Sequence, residues 1–220
     1  MARNERELEL ITAARRLFYT KGYERTSIND IINAVGVSKG AFYHYFDSKQ
    51  GVLEAVVETL IDQTKALIQP IMSDPTLNAI EKFNRMVRVI NDWKIEQRDE
   101  ILTVLRILYT EENLRLLHHM RQRSARVIVP IFAQIITQGV EEGIFETAFV
   151  QESAELVVGI SRTSELMIID MLLNPEGYKD RVTIAMRMSA AGQVAIERML
   201  NAPSGSLLLI DPDDIAVWFT

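Results

Sequence analysis

Apolar residues recur at three- and four-residue spacing along most of this chain, a period that specifies helices. Leu8, Leu10, Ile11, Ala14, Leu17 and Phe18 form one such stripe, which ends at Lys21-Gly22. Ser27, with Asp30 three residues on, has the form of a capping box for a short helix carrying Ile28, Ile31, Ile32 and Val35. Gly36 breaks that helix. Ser38 caps a second short helix through Tyr45 or Phe46. Asp47 or Ser48 caps a long one that runs through Leu53, Val56, Val57 and Leu60 to Pro70. Asp74-Pro75 reads as a cap plus first-turn proline for a helix with Leu77, Ile80, Phe83, Val87 and Ile90 on one face. Further helices are expected from Asp99 to Tyr109, from Glu111 to Glu142 with a kink at Pro130, from Val150 to Leu173 and from Tyr178 to Leu200. Strict alternation, the mark of a strand, is absent before residue 206, so the expected fold class is all-α.

Composition narrows the function classes. Apolar residues make up 48% of the chain and charged residues 25%, which excludes a disordered or fibrous chain. With no cysteine, disulfides, thiolate zinc sites and cysteine nucleophiles are excluded. The N-terminus alternates charges where a signal peptide needs an apolar stretch. The longest apolar run, Val127 to Ala133, holds seven residues, far short of a membrane span. A cytoplasmic protein with no membrane partner is expected. The net charge of −6 is unevenly spread. Residues 1–50 carry eight basic and six acidic side chains, whereas residues 51–220 carry sixteen and twenty-four. A mildly basic head on an acidic body leaves room for a small DNA-binding head.

Thr26 to Leu53 is the informative stretch. A short capped helix, a tight turn at Gly36-Val37 and a second short helix have the spacing of a helix-turn-helix. Ile28, Ile31, Val35, Val37, Phe42 and Phe46 form its mini-core. The remaining face of the second helix shows Lys39, Gly40, Ala41, Tyr43 and His44. A lysine suits phosphate or guanine, a glycine lets backbone approach DNA, and alanine or an aromatic ring suits a thymine methyl. A three-helix core with a few exposed rings would have the same spacing.

The combined pattern of Thr26-Ser27, Ile31, Val35-Gly36-Val37-Ser38, Gly40, Phe42-Tyr43-His44-Tyr45-Phe46 and Ser48-Lys49 resembles the signature of the TetR family of bacterial regulators. The resemblance covers about residues 8–60. It departs at Ile32 and Val35, where a small alanine is usual, and at Gln50, where glutamate is frequent. It implies a helix-turn-helix DNA-binding domain over residues 1–47 and a helical ligand-binding and dimerisation body over 48–202; the residues themselves set off an apolar tail over 203–220, opened by the linker Pro203-Ser204-Gly205-Ser206. The resemblance implies DNA contacts from Ser27 and Asn29, groove contacts from Ser38, Lys39, Gly40, Ala41 and His44, and phosphate clamps from Tyr43, Tyr45 and Lys49. A homodimer on a palindromic operator is implied, with the last two long helices forming the interface. Ala185, Ser189, Ala190, Ala191, Gly192 and Ala195 supply small residues for such an interface.

The resemblance also implies a small hydrophobic or aromatic effector. Candidate pocket residues are Phe83, Trp93, Leu105, Tyr109, His118, Arg162, Glu165 and Met167, each of which also suits plain core or surface. Arg162 and Glu165 stand three apart and suit a mutual pair, or Arg162 an acidic ligand. No cofactor and no metal are expected. His118 and His119 point about 100° apart on a helix and do not share an ion. No nucleophile elbow, phosphate-cradling loop or paired acid–base motif occurs, so an enzyme is not expected. The expected function is a transcriptional repressor released from its operator by the effector. The alternatives are a regulator controlled by a protein partner or without a ligand and, more distantly, an enzyme acting on apolar ligands. Leu207–Ile210 and Ile215–Phe219 make the tail dense in apolar residues, so it is expected to pack on the body or a partner subunit.

Overall fold

A computed structural model describes residues 4–219. Ten α-helices occur among them, with no strand. In order these are α1 (Glu5–Lys21), α2 (Ile28–Val35), α3 (Lys39–Tyr45), α4 (Lys49–Ser73) and α5 (Ala79–Glu96), then α6 (Arg98–Leu108), α7 (Leu114–Glu141), α8 (Val150–Leu173), α9 (Arg181–Met199) and α10 (Pro212–Trp218).

Most elements stand where periodicity placed them; the end of α4 and the starts of α5, α7 and α9 differ. α4 continues through Pro70 to Ser73, and α7, which runs through Pro130 as expected, begins at Leu114 after a 3-10 turn at Glu111–Asn113. A proline inside a helix frees the carbonyl four residues before it. Here Pro70 and Ala66 are both exposed, as are Pro130 and Arg126, so water can take the freed acceptor. α5 begins at Ala79, not at Asp74-Pro75. The Asp74 carboxylate instead accepts from the Thr76 hydroxyl and N–H at 2.6 and 2.9 Å, an arrangement that also lowers its pKa. The cap is a reciprocal Asn78–Glu81 box, with both bonds at 2.9 Å. α9 starts at Arg181 rather than Tyr178, because Pro175–Gly177 form a separate 3-10 turn and Asp180 caps the helix.

The chain divides into two compact units, which differ from the division at residues 47 and 202. One comprises Met1–Gln63 and Asp99–Arg121, the other Thr64–Arg98 and Gln122–Thr220. In the first unit, Leu10, Ala14 and Phe18 of α1 are buried with Ile31, Phe42, Phe46, Leu53 and Val56. Val104, Ile107, Leu108, Leu116 and Leu117 belong to the same core, which is why residues 99–121 join the head. The second unit is built on Phe83, Met86, Phe132, Ile135, Ile136, Phe145, Val157 and Ile196. Leu207 and Leu209 belong to that core too, and Ile215 packs with Met171 and Ala185, so the tail is part of this unit.

Two contacts set helix spacing in the second unit. A Cβ on Gly139 would lie 2.1 Å from Cδ2 of Phe145, so only glycine admits that ring. A Cβ on Gly192 would lie 2.7 Å from Leu209 and 3.1 Å from Ile160, so α8, α9 and the tail meet at this residue. Ala185, Ser189, Gly192 and Ile196 are buried within the chain on one face of α9, leaving Ala190, Ala191, Val194 and Ala195 exposed.

Candidate nucleic-acid interface

The two short helices are held by local chemistry. Ser27 and Asp30 form the capping box expected for α2. The Asp30 Oδ2 atom accepts from the Ser27 N–H at 2.7 Å, the Ser27 hydroxyl at 2.8 Å and the Lys21 ammonium at 2.6 Å. The bond from Lys21 first, then those from Ser27, hold this carboxyl far below the usual range. Thr26 is buried, its hydroxyl donating to the Gly22 carbonyl at 2.7 Å. These contacts tie the end of α1 to the start of α2.

Gly36 closes α2 with φ 75° and ψ 32°, a left-handed conformation that costs a side chain about 1–2 kcal/mol. Its N–H and that of Val37 both donate to the Ile32 carbonyl, at 2.9 and 3.2 Å. The turn therefore needs glycine for its backbone, since a Cβ there would meet nothing within 4 Å. Ser38 caps α3 by accepting from the Ala41 N–H at 3.1 Å. Phe42 is fully buried and packs on Phe46 with ring centres 5.9 Å apart. The methyls of Ile32 and Val35 are accommodated, with Ile32 buried and Val35 packed half-buried against the same core.

This arrangement exposes Ser27, Asn29, Ser38, Lys39, Gly40, Tyr43 and His44, and leaves Ala41 and Tyr45 half-buried. The Lys39 ammonium lies 5.9 Å from the centre of the Tyr43 ring, one helical turn on. Tyr45 packs against the core of the first unit and holds its ring edge-on to His44 at 4.8 Å. Ser27 and Ser38 both spend their side-chain oxygens on caps. Gly40 stands out: within the chain, a Cβ there would meet only the Ser38 hydroxyl, at 3.9 Å. Glycine costs a helix about 1 kcal/mol relative to alanine, and nothing inside the protein requires it at this place.

Lys49 is placed differently from an exposed clamp. Its ammonium donates to the carbonyls of Tyr23 and Glu24, at 2.8 and 3.5 Å, and lies 4.2 Å from the centre of the Tyr23 ring. Tyr23 in turn packs edge-on to Phe18 at 5.0 Å. The residue braces the turn between α1 and α2 from the start of α4. Sequence reading missed Tyr23 and Lys21 as partners, because nothing local to either one signals a carbonyl or a carboxylate brought by another segment.

A profile for the bacterial regulatory proteins of the TetR family matches residues 10–56, and one for the tetracyclin repressor-like C-terminal domain matches residues 115–192. The chain belongs to the TetR family. Among curated relatives, an uncharacterised helix-turn-helix transcriptional regulator from the lacX 3' region of Lactococcus lactis subsp. lactis is 48% identical over 56 residues, 26% of this chain and 28% of that protein. The uncharacterised regulator YuxN of Bacillus subtilis (strain 168) is 30% identical over 163 residues, 72% of this chain and 53% of that protein. The chain thus spans about half or less of the length of these two relatives. A crystal structure of a TetR-family transcriptional regulator from Pectobacterium atrosepticum is similar with a TM-score of 0.66 and 25% identity, covering 90% of this chain and 96% of that one. These relatives carry the names of transcriptional regulators, not of enzymes.

The residues expected to line an effector pocket fall in both compact units. Leu105, Tyr109 and His118 belong to the first; Phe83, Trp93, Arg162, Glu165 and Met167 belong to the second. Phe83 is core, its ring tilted against that of Phe132 with centres 5.3 Å apart. Met167 packs with Met171 and Ile215. Trp93, Leu105 and Arg162 are half-buried, and the Tyr109 hydroxyl accepts from Arg121 at 2.9 Å. His118 and Glu165 are exposed, and Glu165 pairs with Lys94 at 2.9 Å. Among the described residues, no helix is long and apolar enough to cross a membrane, and no group of three His, Asp or Glu is placed to hold a metal.

Proposed function

We propose that this protein is a sequence-specific DNA-binding transcriptional regulator, a repressor that acts as a homodimer on a palindromic operator. The single observation that supports this best is Gly40. It is a helix-weakening residue on the exposed face of α3, unneeded by any neighbour, flanked by Lys39, Ala41, Tyr43 and His44. Such a face lets backbone approach a base-pair edge while the cation and the rings reach phosphate and thymine methyl. Asn29, beside the capped N-terminus of α2, suits an adjacent phosphate.

One helix of this length reads too few bases for specificity, so two copies are needed. The exposed apolar and small residues Leu156 and Gly159 of α8, with Ala191 and Val194 of α9, suit a self-complementary helix–helix interface. Half-site centres then lie about 34–36 Å apart, or a multiple of it. Footprinting on genomic fragments tests the reading: paired protection with two-fold symmetry is expected, and protection of one asymmetric half-site by a monomer overturns it.

The repressor is released by a small hydrophobic or aromatic effector. This is supported by α4, which starts at Lys49 and contributes Val52, Leu53 and Val56 to the core of the first unit and Ile68 to that of the second. A ligand that binds the non-DNA conformer a hundredfold better shifts the equilibrium by about 2.7 kcal/mol per site. Operator binding titrated with apolar and aromatic acids is the test. No change with any compound would leave a repressor without effector control.

A further inference from the structure

The second unit holds a cleft of about 530 Å³ between α5, α9 and the chain that follows α9. None of the residues expected to hold an effector lines it. Its apolar wall is Met186, Leu207, Leu208, Ile210 and Ile215. The charged side chains that line it are both guanidinium groups, Arg88 and Arg187, and both are exposed at its rim. Among the described residues no carboxylate lines the cleft, in a chain of net charge −6. Asp211 reaches Arg88 only at 4.0 Å. The hydroxyl of Ser206, another lining residue, is buried with no hydrogen-bond partner.

The wall is fixed rather than loosely laid. Asn84 donates to the Ser206 carbonyl at 2.8 Å and accepts from the Leu208 N–H at 2.7 Å. Glu197 is buried and accepts from the N–H groups of Gly205 and Leu207, both at 3.0 Å. Glu197 is thus consumed by the backbone, and the carboxylate nearest Arg88 is Asp211, at 4.0 Å. A preformed apolar cleft with two cations at its mouth and one idle hydroxyl inside matches one ligand chemistry.

We propose that this cleft binds a small amphiphilic anion, its apolar body against Leu207, Leu208 and Met186 and its carboxylate or sulfonate held by Arg88 and Arg187. On α9, Met186, Ala190 and Gln193 face the cleft, on the flank away from the Gly192 contact with α8. Arg187 stands one turn before Ala191 and two before Val194, and Ala190 one turn before Val194, on the same exposed flank of α9, so the mouth of the cleft borders the proposed subunit interface. The inference goes beyond the regulator reading and does not depend on it.

The test uses the full chain, labelled at its methionine methyls, with Met186→Leu identifying the Met186 resonance. Octanoate, octanol and octylamine are titrated in turn. Octanoate is expected to shift the Met186 resonance saturably, with at least tenfold tighter binding than octanol or octylamine. The double variant Arg88→Gln/Arg187→Gln removes two exposed groups and should lose at least tenfold in octanoate affinity while its octanol response and melting temperature stay unchanged. Ala190→Trp, which narrows the cleft, should weaken both octanoate and octanol. Equal affinities for octanoate and octanol, or an unchanged octanoate affinity in the double variant, would overturn the proposal. So would a Met186 shift that follows protein concentration instead of ligand, since a second copy would then occupy the cleft.

Discussion

The Lys49 ammonium donates to the Tyr23 carbonyl at 2.8 Å while lying 4.2 Å from the centre of the same residue's ring. A single cation at the start of α4 thereby fixes the turn that leads into α2. Burial raises the Tyr23 phenol above its ordinary value, so the ring stays neutral as a cation–π partner at physiological pH. Lys49→Met should destabilise the DNA-free protein by about 1 kcal/mol, after allowing for the partial exposure of the pair. Urea denaturation without DNA reads this. A lysine whose only role is to meet phosphate would leave the midpoint where it was.

Gly36 and Gly40 should respond to alanine with opposite signs. Gly36→Ala forces a side chain into the left-handed region and should cost about 1–2 kcal/mol. Gly40→Ala should stabilise α3 by about 0.5–1 kcal/mol, since the added Cβ meets only the Ser38 hydroxyl at 3.9 Å. Under the proposed docking, the same methyl should weaken operator binding at least tenfold. Paired melts and binding isotherms separate the two effects; a Gly40→Ala protein that binds DNA normally removes the argument for close backbone approach.

At Gly139 the constraint is packing. A Cβ 2.1 Å from the Phe145 ring cannot be absorbed without moving that ring. Gly139→Ala should cost about 3 kcal/mol, the upper range for overpacking. Adding Phe145→Leu should recover part of the loss, and a double-variant cycle measures the coupling. Purely additive losses would place the strain elsewhere.

Glu197 gives the second unit a pH dependence. Burial alone would raise its carboxyl, but bonds from the Gly205 and Leu207 N–H groups, then Gln193, more than offset this and leave it lowered. A folded-state value below the unfolded one means that the contribution is complete above the unfolded pKa and is lost as the pH falls through the folded one. Glu197→Gln should therefore cost about 1–3 kcal/mol at neutral pH and flatten the acid limb of the stability profile. Chemical denaturation from pH 7 down to the acid limit reads both. An acid limb as steep as that of the parent protein would assign the dependence to other carboxylates, Asp30 first among them.

Dimerisation is testable at one residue. Ala191 is exposed on α9, and Ala191→Arg should leave the monomer folded while placing a charge in the proposed interface. An unpaired buried charge costs several kcal/mol, so sedimentation should show a shift toward monomer. A dimer of unchanged affinity would put the interface on another face.

The helical class, the capping box at Ser27–Asp30, the Gly36 turn and the bounds of α8 were all legible in the chain itself. Each depends on residues within one or two turns of one another, and local spacing carries that information. The start of α5 was misread because Asp74 satisfies its own turn through Thr76, and a cap residue cannot announce which of two local partners it will take. The composition of the compact units and the work of Lys49 were decided by tertiary structure alone, as was the tail's place on the body rather than on a partner subunit. Lys49 meets a carbonyl 26 residues away, and Asn84 holds a segment 122 residues distant. Neither side chain differs in type from any other lysine or asparagine on a helix. Only when apolar burial has brought distant segments together does a backbone group without a local partner lie within reach of one of them.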